Sequence, residues 1–521
     1  MSLILSNGEK LTLTEALQKD DNILHKLRHC EDKSKMHTRL WKKRSQIQAI
    51  VARDLGLRSP EQCVVTIPAE WNFGHFNICV HLHVTDNRNE RSRKIFRCPM
   101  PHKVGLTMPG AVDEKIRTEA ASYAWVEQKC PDIPIPQLIG FGLSTGEQFT
   151  HQRYLPWYRR LRFQIGRWIR SIFSPKQCFG QYAPQSPSAI PFSMGYMLID
   201  FVNTGSMLSY TWQEGKHNAA KTARLYTGLS QIMLSLASQP QHQIGSLRYN
   251  KDGSVSLSNR PMLCAQNILE NEGAPRMEGL YSSSGQFLQA LQDGRANNFA
   301  SQLHAVHDEE DCRLQMAQMV LLRSIVPKAF NLEYTGPFVL QFTDLHHSNI
   351  FVDSDWNITG IIDLEFMCSL PPDMLSVPYR FGVDYIDSAS EQIEDFTAMY
   401  DSFVQNFSAV EKKRNKEQTA PLANAMHQAL RSGTYWINHC FTSIDGMSSI
   451  VEGHIFPMFG FDQTVEEEEA FYKSLSHFWS PDSEQFVQRK LAERARYNLD
   501  LQTHFETTKP SKLATTIVIH K

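Results

Sequence analysis

The sequence predicts an α+β protein: a small, mostly antiparallel β lobe holding one internal helix, then a large, mainly helical lobe carrying a hairpin. Three observations predict it. Residues 61–202 contain short runs rich in β-branched and aromatic side chains, with Asp, Asn and Gly between them. Inside that region "DEKIRTEAASYAWVEQKC" reverts to helical spacing. From about 205 onward helical patterns dominate, broken only by "GPFVL" and by "QFTDLHHSNIFVDSDWNITGIIDLEF", residues 341–366.

In chain order, residues 1–60 read as a basic helical extension, with Leu40, Ile47, Val51 and Leu55 at helical spacings. "CVVTIPAEWNFGHFNICVHLHVTD" and "KIFRCPMP" read as antiparallel strands and turns. The internal helix takes Asp113 as its N-cap and sets Ile116, Ala120 and Tyr123 on one face; "DIPIP" ends it. "QLIGFGLSTGEQFT" reads as a hairpin, and after a basic insert, about 151–190, "SMGYMLIDFV" is a further strand. Within the insert, Leu161, Ile165, Trp168, Ile169 and Ile172 share one side of a helix rich in arginine. The expectation is that this stripe packs on the parent domain while the arginines are solvated. A membrane-surface helix is the competing, disfavoured reading. The resulting division is 1–60, 61–202 and 203–521.

Composition excludes several classes. Apolar residues are 41% of the 521, charged residues 21%, and the net charge is −2, so nucleic acid is not expected as a partner. No apolar run approaches the length of a transmembrane segment. The opening "MSLILSNGEKL" has a four-residue apolar patch and an early acid, which argues against a cleaved leader. Ten cysteines lie scattered without a CxxC pair, as buried free thiols in a reducing compartment would, so a cytoplasmic protein is expected.

Two motifs mislead. "GLSTG", Gly142 to Gly146, matches the G-x-S-x-G nucleophile elbow, but "EQFTH" follows it as a strand rather than a helix, so these read as turn glycines. His346 and His347 invite a zinc reading, yet adjacent residues of an extended strand face opposite ways, and no third soft ligand is near. What remains is a set of hard oxygen donors, Asp344, Asn349 and Asp363. "NIFVD" and "ITGIIDLE" read as strands joined by "SDWN". If 354–357 form the loop, Asp353 pairs with Ile358 and Asn349 lies opposite Ile362. Such oxygens suit Mg²⁺, which completes its shell with water and phosphate. Turn caps and a strand end explain them equally well on residues alone.

Four stretches together carry a resemblance. The run from Asp344 to Asn349, "DLHHSN", followed nineteen residues after the aspartate by "IIDLE" with Asp363 and Glu365, resembles the catalytic loop and metal-binding motif of the aminoglycoside phosphotransferase and choline kinase family. "EWNFGHFNICVHLHV", with Gly74 and Asn77, resembles that family's nucleotide-covering hairpin. "KIRTEAASYAWVEQKCPDIPIPQLIGFG" and "GYMLIDFVNTGSML" resemble its lobe helix and hinge. The pattern spans roughly 65–380 and is most similar to the fungal phosphotransferase-enzyme members.

The resemblance implies a bilobal, protein kinase-like fold and transfer of the γ-phosphoryl group of ATP, with Mg²⁺, to a hydroxyl of a small-molecule acceptor. Asp344 would accept the acceptor's proton. Asn349 and Asp363 would hold Mg²⁺, with Glu365 a supporting carboxylate. Glu119 would pair with Arg97, and the main chain from Ile199 to Phe201 would bind adenine. Two departures stand out: Arg97 replaces the usual lysine, with Lys94 nearer the strand start, and Phe342-Thr343 replaces the usual His-Gly before the catalytic aspartate. A catalytically weakened, nucleotide-binding or scaffolding pseudoenzyme is the alternative those departures leave open.

Overall fold

In "NICVHLHVT" and "RSRKIFRCP" alternate residues are apolar, and the two runs pair as the central strands Asn77–Thr85 and Arg91–Pro99 of an eight-stranded antiparallel sheet. The structure, a computed structural model, describes residues 2–5, 8–105, 108–173, 178–185, 190–375, 377–461 and 465–507. A turn closed by Asp86 N–H to Glu90 O (2.9 Å), with Asn89 at φ 69°, joins the central strands. Ile78, Val80, Phe96 and Cys98 point into one core with Ile47, Ile50 and Val51 of the helix Arg44–Leu55. Side chains alternate on a strand. Cys79 and its partner Arg97 therefore face the other way, toward the helix Ala111–Lys129.

That helix is buried almost all round because it lies between two sheets. On one side Ile116 and Ala120 share a core with Phe141 and Phe149 of the first sheet. On the other, Arg117 donates to Tyr249 O (3.0 Å) and Thr118 Oγ1 accepts from Asn259 Nδ2 (2.9 Å). Tyr249 and Asn259 belong to a second, five-stranded sheet built from Cys178–Phe179, Gly245–Tyr249, Ser254–Asn259, Val339–Phe342 and Met367–Leu370. A third sheet pairs Ser206–Met207, Ile350–Val352 and Ile358–Ile361. Helices such as Ala219–Ala237, Ser284–Ser301, Glu309–Ala329 and Ile393–Asn415 supply the largest core.

The observed chain is mixed helix and antiparallel sheet, with four corrections to the expected elements. Gly110 at φ 82°, not Asp113, caps the internal helix; the Asp113 carboxylate instead accepts from Ser144 N–H at 2.6 Å. Strands Gly245–Tyr249, Ser254–Asn259 and Met367–Leu370 interrupt the helical region: the first two form a local hairpin whose serine-rich alternation is a weak signal, and the third is completed only by strands that are not its neighbours in sequence. The first residues form a small hairpin, Ser2–Ile4 with Lys10–Thr12, before the helices begin. The helix Trp157–Phe173 buries none of its residues, so its apolar stripe is not packed on the parent domain. Parts of the basic insert, 174–177 and 186–189, lie outside the described residues.

The N-terminal helix Ile23–Lys42 bridges two cores. Ile23 and Leu27 pack with Leu501 and Phe505 of the last helix, and Ile23 N–H donates to Tyr497 Oη at 2.8 Å. Met36 and Leu40, further along, enter the core of the first sheet.

"GLSTG" is a hairpin turn between Leu138–Gly142 and Gln148–His151, with Gly146 at φ 93°. Gly142 is required for space: a Cβ there would lie 2.2 Å from the Tyr196 ring, which stacks on Phe96. Overfilling a packed site costs about 1–3 kcal/mol. Gly142→Ala is therefore expected to lower unfolding free energy by about that much in denaturant melts. Tyr196→Leu in the same chain should recover part of the loss; an unchanged midpoint in Gly142→Ala would contradict the packing.

Candidate active site

The site forms where the central strand, the buried helix and the loop of residues 343–366 meet. Arg97 reaches out of its strand and forks. One Nη pairs with Glu119 on the helix; the other donates to Asp363 Oδ1 at 2.6 Å and to Glu365 Oε2 at 3.2 Å. Asn77 Nδ2 also donates to Glu365 Oε2 (3.2 Å), and Lys115, one helical turn before Glu119, pairs with the same carboxylate. Lys115 and Glu365 are both almost wholly buried. Lys94 pairs instead with Asp200 at 2.8 Å, so of Lys94 and Arg97 it is Arg97 that enters the cluster.

The catalytic-loop candidates are held beside this cluster by main-chain bonds. Phe342 pairs with Met367, and Thr343 donates through both its N–H (3.0 Å) and its hydroxyl (2.8 Å) to Phe366 O. Asn349 O accepts from Ile362 N–H at 3.0 Å, so Asn349 lies opposite Ile362 as the register predicts. A bulge near Thr359 shifts the closed end: Val352, not Asp353, pairs with Ile358, and Asp353 bonds Asn357. Asp363 sits in the left-handed region, φ 64° and ψ 64°, at the sharp turn into Leu364–Phe366. Asn349 Nδ2 donates to Asp344 O at 2.9 Å, so the side chain's other polar atom is the hard acceptor Oδ1.

His346 and His347 stand in a short 3₁₀ turn, not on a strand. The His346 ring accepts from Ser348 N–H and lies 3.2 Å from the Asn349 amide. The His347 ring packs on Trp212 (4.3 Å) and Phe381 (5.0 Å). Phe342 is part-buried against the main core.

Charge and burial set the protonation states. Burial works to raise the Asp363 carboxyl, but the Arg97 and Lys115 charges outweigh it and hold it below the usual carboxylate range. Burial likewise disfavours charge on Arg97, yet Asp363 and Glu119 keep it firmly cationic. Burial raises Glu119 and lowers Lys115. It also raises Asp344, against the opposing pull of His346 and Arg380.

Among the described residues, Glu119, Asp363 and Glu365 form the group whose ligand oxygens lie within 4.8 Å of one another. Glu365 Oε1 is buried without a hydrogen-bond partner. An all-oxygen set with an unsatisfied carboxylate atom fits a hard divalent cation better than zinc. Asp344 also lines a cavity of about 350 Å³ whose walls include Phe342, His346, Met374, Tyr379, Arg380, Tyr385, Ile386 and Asp445.

The other expected residues lie apart from the charge cluster. Gly74 N–H closes its turn on Asn77 O (3.0 Å), and the nearest atom to an added Cβ is 3.7 Å away, so the fold itself does not demand glycine there. Ile199 is buried between Ile95 and Leu138, and the Phe201 ring carries the Arg93 guanidinium at 3.7 Å. Lys115 escaped the sequence reading; the available signal was its place four residues before Glu119 on one helix face.

Residues 275–374 match the model of the phosphotransferase enzyme family, a stretch that includes Asp344, Asn349, Asp363 and Glu365. Among solved structures the chain is similar to a macrolide 2'-phosphotransferase type I, at 11% identity over 78% of this chain and 94% of that one, TM-score 0.34. It is also similar to an aminoglycoside phosphotransferase from Alicyclobacillus acidocaldarius subsp. acidocaldarius DSM 446, at 9% identity over 84% and 93%, TM-score 0.27. No curated protein matches the chain significantly. The family resemblance read from the sequence is thus borne out over the segment that carries the loop.

Removing one partner of a buried pair strands the other charge and costs about 3–5 kcal/mol. Lys115→Met should therefore destabilise strongly in denaturant melts. The double variant Lys115→Met, Glu365→Gln should lose less than the sum of the singles; strict additivity would show that the pair does not interact.

Proposed function

We propose that this phosphotransferase-family chain moves the γ-phosphoryl group of ATP to a hydroxyl of a small molecule held in the cavity beside Asp344. One observation carries the reading: a part-buried carboxylate lining a cavity is tied by main-chain bonds to a buried acid–arginine cluster. Phosphoryl transfer asks a protein mainly for positioning and for compensation of phosphate charge, and this arrangement supports both. In this reading residues 61–202 and 203–521 are the two lobes of a kinase-like fold, with 1–60 bridging them.

Asp344 accepts the proton of the acceptor hydroxyl, its raised affinity for protons suiting a base. Asn349 and Asp363 hold Mg²⁺, with the free Oε1 of Glu365 in the same acidic group. The ion, when bound, neutralises charge on the phosphate oxygens. Glu119 orients Arg97 toward those oxygens; its planar fork reaches Glu119 and Asp363 at once, which a lysine ammonium does less well. The Gly74–Asn77 turn covers the nucleotide. The main chain from Ile199 to Phe201 receives adenine. Ten free cysteines fit a reducing, cytoplasmic setting.

A second reading has its own observation. The Arg97–Asp363 bond occupies an oxygen that magnesium would need, which favours a nucleotide-binding protein without transfer.

ATP with Mg²⁺ is expected to raise the melting temperature of the wild-type chain and to leave Asp363→Ala unshifted. A shift in neither protein would remove nucleotide binding from the proposal. Binding without turnover across a broad panel of hydroxylated metabolites would select the second reading. Asp344→Asn should lower kcat by about 10²–10⁴ while the ATP-dependent shift persists; normal turnover would refute the base assignment. Because Asp344 must be ionised to act and its pKa is raised, kcat/KM should fall on acidification at a pH above the ordinary carboxylate value of about 4. A profile flat through that region would contradict it.

A further inference from the structure

The helix Trp157–Phe173 has five arginines, no acidic residue and no buried residue. Its two faces are sorted by direction. Arg159 donates to Gln185 Oε1 (3.1 Å) and Arg170 to Asp252 O (2.6 Å), so the arc holding these two arginines is turned toward the body of the protein. Phe163, Gly166 and Arg167 share that arc and are half-buried. The opposite arc, at helical spacing, holds Leu161, Ile165, Trp168, Ile169 and Ile172, every one exposed. Trp168 keeps 65% of its surface open, and Trp157 and Phe173, at the two ends, keep 77% and 83%. Arg160 and Arg162, both exposed, flank this apolar strip on either side.

An ordinary surface helix turns its apolar stripe inward. Here the stripe faces outward and nothing among the described residues covers it. Exposed apolar patches of this kind mark sites of association. The chemistry of the rim selects the partner. Arginines at both edges with no acid between them are complementary to a plane of negative charge. Long cationic side chains can lift their heads to phosphates while their stems and the strip sink into an apolar layer. Tryptophans at an end and along the strip suit the boundary between headgroups and acyl chains. Seventeen residues make a helix about 25 Å long. No helix of the described residues is long and apolar enough to cross a membrane, so this one would lie in the plane of the surface.

We propose that Trp157–Phe173 is an interfacial helix that docks this protein on anionic lipid bilayers through its outward apolar strip and flanking arginines. The docking is reversible and is independent of the phosphotransfer chemistry, because none of its residues contacts the charge cluster around Arg97. Charge attraction brings the helix to the surface and is screened by salt; burial of the strip holds it there.

Flotation of the full chain with vesicles tests this directly. Vesicles of phosphatidylcholine with phosphatidylserine should bind at least about tenfold more protein than phosphatidylcholine alone at low salt, and high salt should narrow the gap. Leu161→Asp with Ile172→Asp should abolish flotation, and Arg160→Glu with Arg162→Glu should weaken it mainly on the anionic vesicles. These positions are exposed, so the variants should keep the wild-type melting temperature. The wild-type chain gives an independent reading: brominated lipid should quench its tryptophan emission, and Trp168→Phe should lose much of that quenching. Absence of flotation on both vesicle types would overturn the proposal, as would equal flotation of the Leu161, Ile172 variant. A wild-type dimer in light scattering that this variant renders monomeric, without lipid binding, would assign the strip to a second copy of the chain and equally overturn it.

Discussion

The Arg97 guanidinium is the point at which the strand, the helix and the acidic turn become one structure. One prong pairs with Glu119 and the other with Asp363 and Glu365, so three elements far apart in sequence share a single buried cation. Lys115 answers the remaining charge on Glu365 from the helix side. Neither carboxylates nor cations would be stable in this place alone, since an unpaired buried charge is costly and finds relief only in a partner or a changed proton. An arginine keeps its charge under burial, whereas burial pulls the Lys115 ammonium toward its neutral form.

Around that centre, rigidity comes from main-chain bonds and apolar packing more than from side-chain polarity. Thr343 is fixed to Phe366 O and Asn349 to Ile362 N–H, so Asp344 hangs from a loop clamped at both ends. Phe342 joins the main core and His347 packs between Trp212 and Phe381. The aromatic ring that replaces a histidine before Asp344 therefore has packing to brace it. At larger scale the helix Ile23–Lys42 joins the core of the first sheet to the last helix.

What was legible in the sequence followed from short-range physics. The period-two runs around Arg97 and Tyr196, the helical period around Glu119 and the "STG" turn each report local backbone preference, and each forms as read. Counting back from the "SDWN" turn put Asn349 opposite Ile362, and a bulge at Thr359 disturbed only the closed end. The N-cap was misread because Asp113 is drawn off by Ser144 N–H, a contact thirty-one residues away. The hairpin strands at 245–249 and 254–259 were missed because their serine-rich runs carry little apolar alternation, and the strand at 367–370 because it is completed only by strands that are not its neighbours in sequence. The arginine-rich helix was misread for a related cause: its amphipathic period is plain, but the period does not say which arc faces the protein.

The sequence by itself determined the identity and order of the chemically equipped residues, because motif spacing and hydrophobic period are properties of neighbouring positions. It placed Asn349 and Asp363 at the open end of one hairpin, with Asp344 on the loop entering it, and the family resemblance it carries favoured Arg97 over Lys94. Only the tertiary structure decided that Lys115 enters the acidic cluster, that Glu365 is buried beneath it, and that the apolar side of Trp157–Phe173 looks outward. Those outcomes depend on which surfaces the folded chain brings into contact. Burial and electrostatic pairing act through space, between residues that may be hundreds of positions apart, and no local pattern encodes them.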